Sequence, residues 1–242
     1  MNYCDAHIHC AMYDYWKPVQ NSHVCSAAHS IAEWNTLCLL KEQYKDLLSV
    51  SFGIHPQNPD PSLLPFLKKL LEQNSINAIG EAGFDLYTDG FKEQLSVQKL
   101  VWYEQLELAL SYSKPLVVHS RKALDLIFAS APLLKKIPSV VFHSYSNSPE
   151  EAVSLRKKGI NAFFSFGKPL LNNHKNALRC AAHLPLEWIL LETDGPYQTL
   201  RGECITPPED IIKVYSFFSS IRNSSEDSLC QVEKNFFSVF RI

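Results

Sequence analysis

Polar and apolar positions along the chain follow two rhythms. Short apolar runs, rich in Val, Ile, Phe and Leu, are separated by longer stretches whose apolar residues return every three or four positions. The first rhythm predicts strands and the second predicts amphipathic helices. The runs Tyr3 to His9, Val24 to Ala28, Leu48 to Ile54, Ile76 to Glu81, Leu116 to His119, Ser139 to His143, Ala162 to Phe166 and Trp188 to Thr193 read as strands. Helical spacing covers Ser30 to Leu48, where Ile31, Trp34, Leu37, Leu40 and Tyr44 share a face. It returns at Leu63 to Gln73 behind Ser62, at Phe91 to Tyr112, at Ala123 to Ala131 and at Asn173 to Ala182. Ser148-Pro149-Glu150-Glu151 has a capping serine and a proline at the first helical position. Thr206-Pro207-Pro208-Glu209 reads as a capping box opening a helix to Ile221. Ser224 or Ser225 is placed to cap a last helix with Leu229, Val232, Phe236 and Phe240 on its apolar face.

Strands alternating with helices imply an α/β protein with a parallel sheet. Eight repeats in 242 residues suit one closed (β/α)8 barrel of the TIM type, and no break in composition divides residues 1–242. In such barrels chemistry sits at the C-terminal ends of the strands. The residues at those ends are therefore the ones to weigh.

Asp5-Ala6-His7-Ile8-His9 closes the first strand, and alternation sends His7 and His9 to one side. Glu81 ends the fourth strand, His119 the fifth, His143 the sixth, and Asp194 follows the eighth. A carboxylate at the end of a buried strand is costly unless it meets a cation. Four histidines and two carboxylates exceed one tetrahedral site. They suit two divalent cations about 3.5–4 Å apart that share a carboxylate and activate water. Imidazole favours zinc, manganese or iron, whereas carboxylates facing phosphate often take magnesium.

Composition narrows the context. The chain is 46% hydrophobic and 20% charged, with a net charge of −2. This gives no bulk attraction to nucleic acid or to an anionic membrane, so a polyanionic substrate needs a local basic rim and metal ions. No run is long and apolar enough to span a bilayer. The seven cysteines form no Cys-x-x-Cys pair and read as small buried hydrophobes of a reducing compartment. With no basic, apolar leader before Tyr3, the expectation is a cytoplasmic protein, taken as a monomer.

The motifs then converge on one family. They are Asp5-Ala6-His7-Ile8-His9; Gly53-Ile54-His55-Pro56; Gly80-Glu81-Ala82-Gly83-Phe84-Asp85; Lys114-Pro115-Leu116-Val117-Val118-His119-Ser120-Arg121; Val141-Phe142-His143-Ser144; and Leu191-Glu192-Thr193-Asp194-Gly195-Pro196-Tyr197. Over essentially its whole length the chain resembles the TatD family of metal-dependent hydrolases and deoxyribonucleases, within the amidohydrolase superfamily. The resemblance implies a barrel that hydrolyses phosphodiesters with two divalent ions, Mg, Mn or Zn. It assigns one metal to His7, His9, Glu81 and Asp194, and the other to Glu81, His119 and His143. Glu81 would bridge, and Asp194 would deprotonate the attacking water.

The loops depart from the family. Ile205 stands where asparagine is usual, and the segment from His9 to Ala28 is compressed and aromatic. Arg121 is the candidate phosphate contact, with His55, Asp85 and Arg201 as further candidates toward substrate. Asp85 could instead orient a ligand histidine or cap the helix that follows. Lys168 is a candidate for the basic rim, and Tyr13, Tyr15, Trp16 and Tyr197 are candidates to stack on unpaired bases. The expected substrate is DNA or another phosphodiester. The rival readings are metal-dependent hydrolysis of a carbonyl, as in a lactone or amide, and metal binding without catalysis.

Overall fold

The strands predicted from sequence assemble in sequence order. A computed structural model describes residues 2–222 and 226–240. The strands are β1 (Tyr3–Ile8), β2 (Ser22–Ala28), β3 (Leu48–Phe52), β4 (Ala78–Asp85), β5 (Leu116–Arg121), β6 (Val140–Phe142), β7 (Ala162–Phe166) and β8 (Ile189–Leu191). They form one parallel sheet in the order β1 to β8, with helices between. The sheet curls into a nearly closed barrel. At the seam the Asp194 N–H donates to the His7 carbonyl at 2.9 Å, and the His9 N–H donates to the Gly195 carbonyl at 2.8 Å. Buried Asp5 completes the seam, accepting from the Thr193 N–H at 3.0 Å and the Thr193 hydroxyl at 2.6 Å.

The core has two layers, as period-2 alternation in a barrel demands. Ile79, Leu116, Val118, Val140, Phe142, Phe164, Ile189 and Leu191 face outward and pack under the helices. Cys4, Cys25, Ala78, Val117, Val141, Phe163 and Leu190 face the axis, where Phe236, Val239 and Phe240 of the last helix (Glu226–Phe240) join them. That helix plugs the N-terminal end of the barrel. The proposed caps Ser224 and Ser225 lie outside the described residues.

Two strands break the alternation, and both carry ligand-type residues. In β1 the register with β2 shifts between Asp5 and Ile8. Cys4 and Ala6 face the axis, Ile8 faces outward, and His7 is turned inward. In β4 the register with β5 shifts between Ile79 and Ala82. Gly80 sits there at φ +145°, and a Cβ on it would lie 2.6 Å from the Val117 carbonyl oxygen. Only glycine allows this conformation and this approach.

Several boundaries differ from the sequence reading. β4 continues past Glu81 to Asp85, because the shift lets it keep pairing with β5. Asp85 is therefore a strand residue, and Thr88 caps the helix that follows. The expected helix from Phe91 to Tyr112 is broken at Gln94 into Asp89–Glu93 and Leu95–Ser111. Asp60 and Pro61, rather than Ser62, open the second helical segment. Ser148 and Glu151 do form the reciprocal capping box. Thr206 does not: the helix begins at Asp210, and the buried Thr206 hydroxyl has no hydrogen-bond partner among the described residues.

Candidate metal centre

Inward positions at the C-terminal ends of seven elements meet at Glu81. Its Oε2 lies 3.1 Å from His7 Nε2, 3.4 Å from His9 Nε2 and 3.0 Å from His29 Nε2. Its Oε1 lies 2.7 Å from His143 Nε2, 3.4 Å from His119 Nδ1 and 3.5 Å from His55 Nε2. One carboxylate, 3% exposed, thus stands inside a ring of six imidazoles. Asp194 flanks the ring, with Oδ1 3.6 Å from His7 Nε2 and 3.4 Å from His9 Nε2. Its Oδ2 accepts from Gln198 Nε2 at 2.6 Å. Ligand-capable atoms of His7, His9 and Glu81 lie within 4.8 Å of one another, as do those of His7, His143 and Asp194, and those of His55, Glu81 and His119.

Each group shifts its neighbours. Burial alone would raise Glu81, but His143, His7 and His55 hold it well below the usual carboxylate range. Burial alone would lower His143, yet the Glu81 carboxylate lifts it to about 10. Burial dominates at His7 and His55, pushing both down to about 4. Asp194 is held low: burial opposes this, and the bond with His9 overcomes it.

The donor set fits a divalent cation. Asp85 Oδ2 lies 3.1 Å from His119 Nε2 and accepts from the Gln57 amide at 2.7 Å. Burial would raise Asp85, but these bonds hold it at about 2, so it is an ionised acceptor. His119 therefore carries a proton on Nε2 and turns Nδ1, the atom able to ligate a cation, toward Glu81 Oε1 (3.4 Å), His143 Nε2 (3.1 Å) and His55 Nε2 (3.3 Å). Both ring nitrogens of fully buried His7 also lack a hydrogen-bond partner among the described residues.

The fold brings His7, His9, Glu81, His119, His143 and Asp194 together, and it adds His55 to the same ring. Asp85 lies behind His119, turned toward that ring rather than toward the mouth. Arg121 ends β5 at the mouth, with its guanidinium 3.7 Å above the exposed Tyr87 ring and Lys122 4.4 Å from the same ring. Arg201 is exposed and makes no hydrogen bond or ion pair among the described residues. Lys168 is not a rim residue. It is fully buried and paired with Asp210 and with Glu203 (2.5 Å). Trp16 is buried against Tyr44, and Tyr13 donates to the Thr206 carbonyl, so neither is free to stack on a base. Tyr15 and Tyr197 remain exposed, and the Tyr197 ring meets His9 edge-on with centroids 5.0 Å apart. Cys4, Cys10, Cys25 and Cys180 are buried as expected, while Cys204 is exposed.

Three functional candidates escaped the sequence reading. His29 follows β2 at an inward position, a signal present in the alternation but hidden by the helix-cap pattern of Ser30. Gln198 fixes Asp194 from a loop with no periodicity. Glu192, fully buried, accepts from the Ser144 N–H at 2.6 Å, and burial pushes it up to about 8.

A β/α barrel with histidines and carboxylates gathered at its strand ends has the donor set of a metal-dependent hydrolase. The profile of TatD-related DNases matches residues 4–241, and the chain belongs to that family. An uncharacterized metal-dependent hydrolase of Mycoplasma genitalium is 33% identical over 199 residues, 76% of this chain and 74% of that protein. The 3′-5′ ssDNA/RNA exonuclease TatD of Pantoea ananatis is 31% identical over 166 residues, 65% of this chain and 62% of that protein. The crystal structure of the TatD homologue YjjV from Escherichia coli K12 superposes with a TM-score of 0.84 at 24% identity, covering 99% of this chain and 98% of that one.

Proposed function

We propose that this chain hydrolyses phosphodiester bonds in DNA or RNA with two divalent cations on either side of Glu81. The observation that carries the reading is Glu81 itself, whose two oxygens each face a separate set of imidazoles. His7, His9, Glu81 and Asp194 would hold one cation; Glu81, His119 and His143 would hold the other. Divalent cations bound here supply Lewis-acid polarisation of a phosphoryl oxygen and make water acidic enough to attack near neutral pH.

The side chains do the rest. Gln198 ties down Asp194 Oδ2, so the carboxylate cannot turn, and Oδ1 is left to take the proton of the attacking water. Asp85 fixes the His119 ring. The Gln57 N–H donates to His55 Nδ1 at 3.2 Å, which leaves the proton of the neutral His55 ring on Nε2, facing His119 Nδ1 at 3.3 Å and Glu81 Oε1 at 3.5 Å. Arg121 and Lys122 offer charge for a flanking phosphate, and Tyr197 offers a ring to an unpaired base. The Pantoea relative is named as an exonuclease of single-stranded DNA and RNA, which supports this substrate class.

The test incubates end-labelled single- and double-stranded oligonucleotides with Mg²⁺, Mn²⁺ or Zn²⁺, beside a lactone panel and elemental analysis of the purified protein. The expected result is metal-dependent cleavage of oligonucleotides, abolished by chelation. Lactone hydrolysis with inert oligonucleotides would overturn it, as would full metal occupancy with no activity on any ester.

A further inference from the structure

In β2, Val24 and Ala28 face outward and Cys25 faces the axis, so the alternation carries His29 inward just past the strand. Its ring is held at both ends. Nδ1 lies 3.1 Å from the Gly53 carbonyl oxygen, and Nε2 lies 3.0 Å from Glu81 Oε2. A carbonyl only accepts, so Nδ1 carries a proton and Nε2 is the ring atom left to face a cation. Nε2 points at a carboxylate oxygen with which it could share that cation. His55 is the instructive contrast, since its Nδ1 accepts from Gln57 and its Nε2 is the donor. His29, one residue past β2, and His55, three residues past β3, thus have opposite roles.

The distances to Glu81 suit coordination. Donors about 2.1 Å from one cation sit roughly 3.0–3.4 Å apart, for angles between right and tetrahedral. The nitrogens of His7, His9 and His29 lie 3.1, 3.4 and 3.0 Å from Glu81 Oε2. The mounting is rigid. The His29 N–H donates to Glu33 at 2.9 Å, and Ser30 caps the helix Ile31–Tyr44. Gly53 packs against Gly80 so closely that a Cβ on it would lie 2.6 Å from the Gly80 carbonyl carbon.

The geometry points to His29 as a further metal ligand, on the Oε2 side of Glu81. This rests on the metal-centre reading above and extends it to selectivity. An added imidazole favours zinc over magnesium.

The test compares wild-type protein with His29→Ala and His29→Gln. Each is dialysed against chelator and titrated with Zn²⁺ or Mg²⁺ in competition with a chromophoric chelator. Zinc-edge X-ray absorption then counts imidazoles in the loaded proteins. Zinc affinity is expected to fall at least ~10-fold in both variants, with less than about a twofold change for magnesium. The imidazole count should fall by one. His29→Gln keeps bulk and a donor for Gly53, so it gives the same readout should the alanine variant misfold. Unchanged zinc affinity and imidazole count in either folded variant would overturn the assignment of His29 alone. Wild-type protein that takes up no cation would overturn the metal centre itself.

Discussion

Val117 and His119 lie two residues apart on one face of β5, and Val141 and His143 repeat the pair from β6. At the end of β8, Leu190 and Glu192 do the same. In each pair the first residue joins the apolar cluster that meets Phe236 and Phe240. The second enters the histidine–carboxylate pocket or its wall. One step of roughly 6–7 Å along a strand separates a sealed, aliphatic interior from an ionisable one. The lower half holds the strands at a fixed radius, because its side chains fill the axis. The upper half can then afford six imidazoles and two carboxylates without collapsing. Stability and chemistry are thus stacked along one axis, and substitutions in the two halves should have separable effects.

The sharpest break is at the centre of the upper half. Glu81→Gln should lower kcat/KM at least ~10³-fold, the several kcal/mol expected of the metal centre. Adding EDTA should lower the melting temperature of the wild type but not of the variant, as calorimetry would record. An EDTA-sensitive Glu81→Gln protein with normal turnover would dissolve the comparison. Next, Asp194→Asn should reduce kcat by ~10²–10⁴-fold. Metal content, measured by elemental analysis, should change far less. Normal turnover would remove Asp194 as the base.

The lower half should answer the other way. Phe236→Ala, at a fully buried position, should cost about 3–5 kcal/mol of stability and lower the melting temperature by roughly 6–20 °C. Its kcat/KM, assayed well below that melting temperature, should stay within about threefold of wild type. A large loss of activity at full folding would mean that the plug also positions the site. The smallest effect belongs to a structural contact on the upper face. Tyr13→Phe removes the bond to the Thr206 carbonyl and should cost about 1 kcal/mol, read from denaturant midpoints, with turnover unchanged.

The alternation of apolar residues was enough to place eight strands and to say which of their residues end at the C-terminal mouth. Boundaries failed where local chemistry was ambiguous. Gln94 interrupts a helix whose periodicity runs on unbroken, and Thr206 has the letters of a cap without its bonds. Lys168 reads as a solvated lysine, yet it is sealed against Asp210 and Glu203, which come from a distant part of the chain. The spacing that offers Arg121 as a phosphate contact does not show its neighbour: the guanidinium rests on the Tyr87 ring.

Residue identity and spacing by themselves determined the barrel class and the principal ligand-type residues, because burial has a period that the chain writes down. They could not determine direction at the two positions that matter most. Strict alternation from Ala6 and Ala78 would send His7 and Glu81 outward. The register shifts in β1 and β4 turn them in, and those shifts arise from pairing with neighbouring strands and from the tight approach of Gly80 to Val117. The tertiary structure alone also aimed the His29 ring at Glu81, because the carbonyl that orients it belongs to Gly53, on another strand's end.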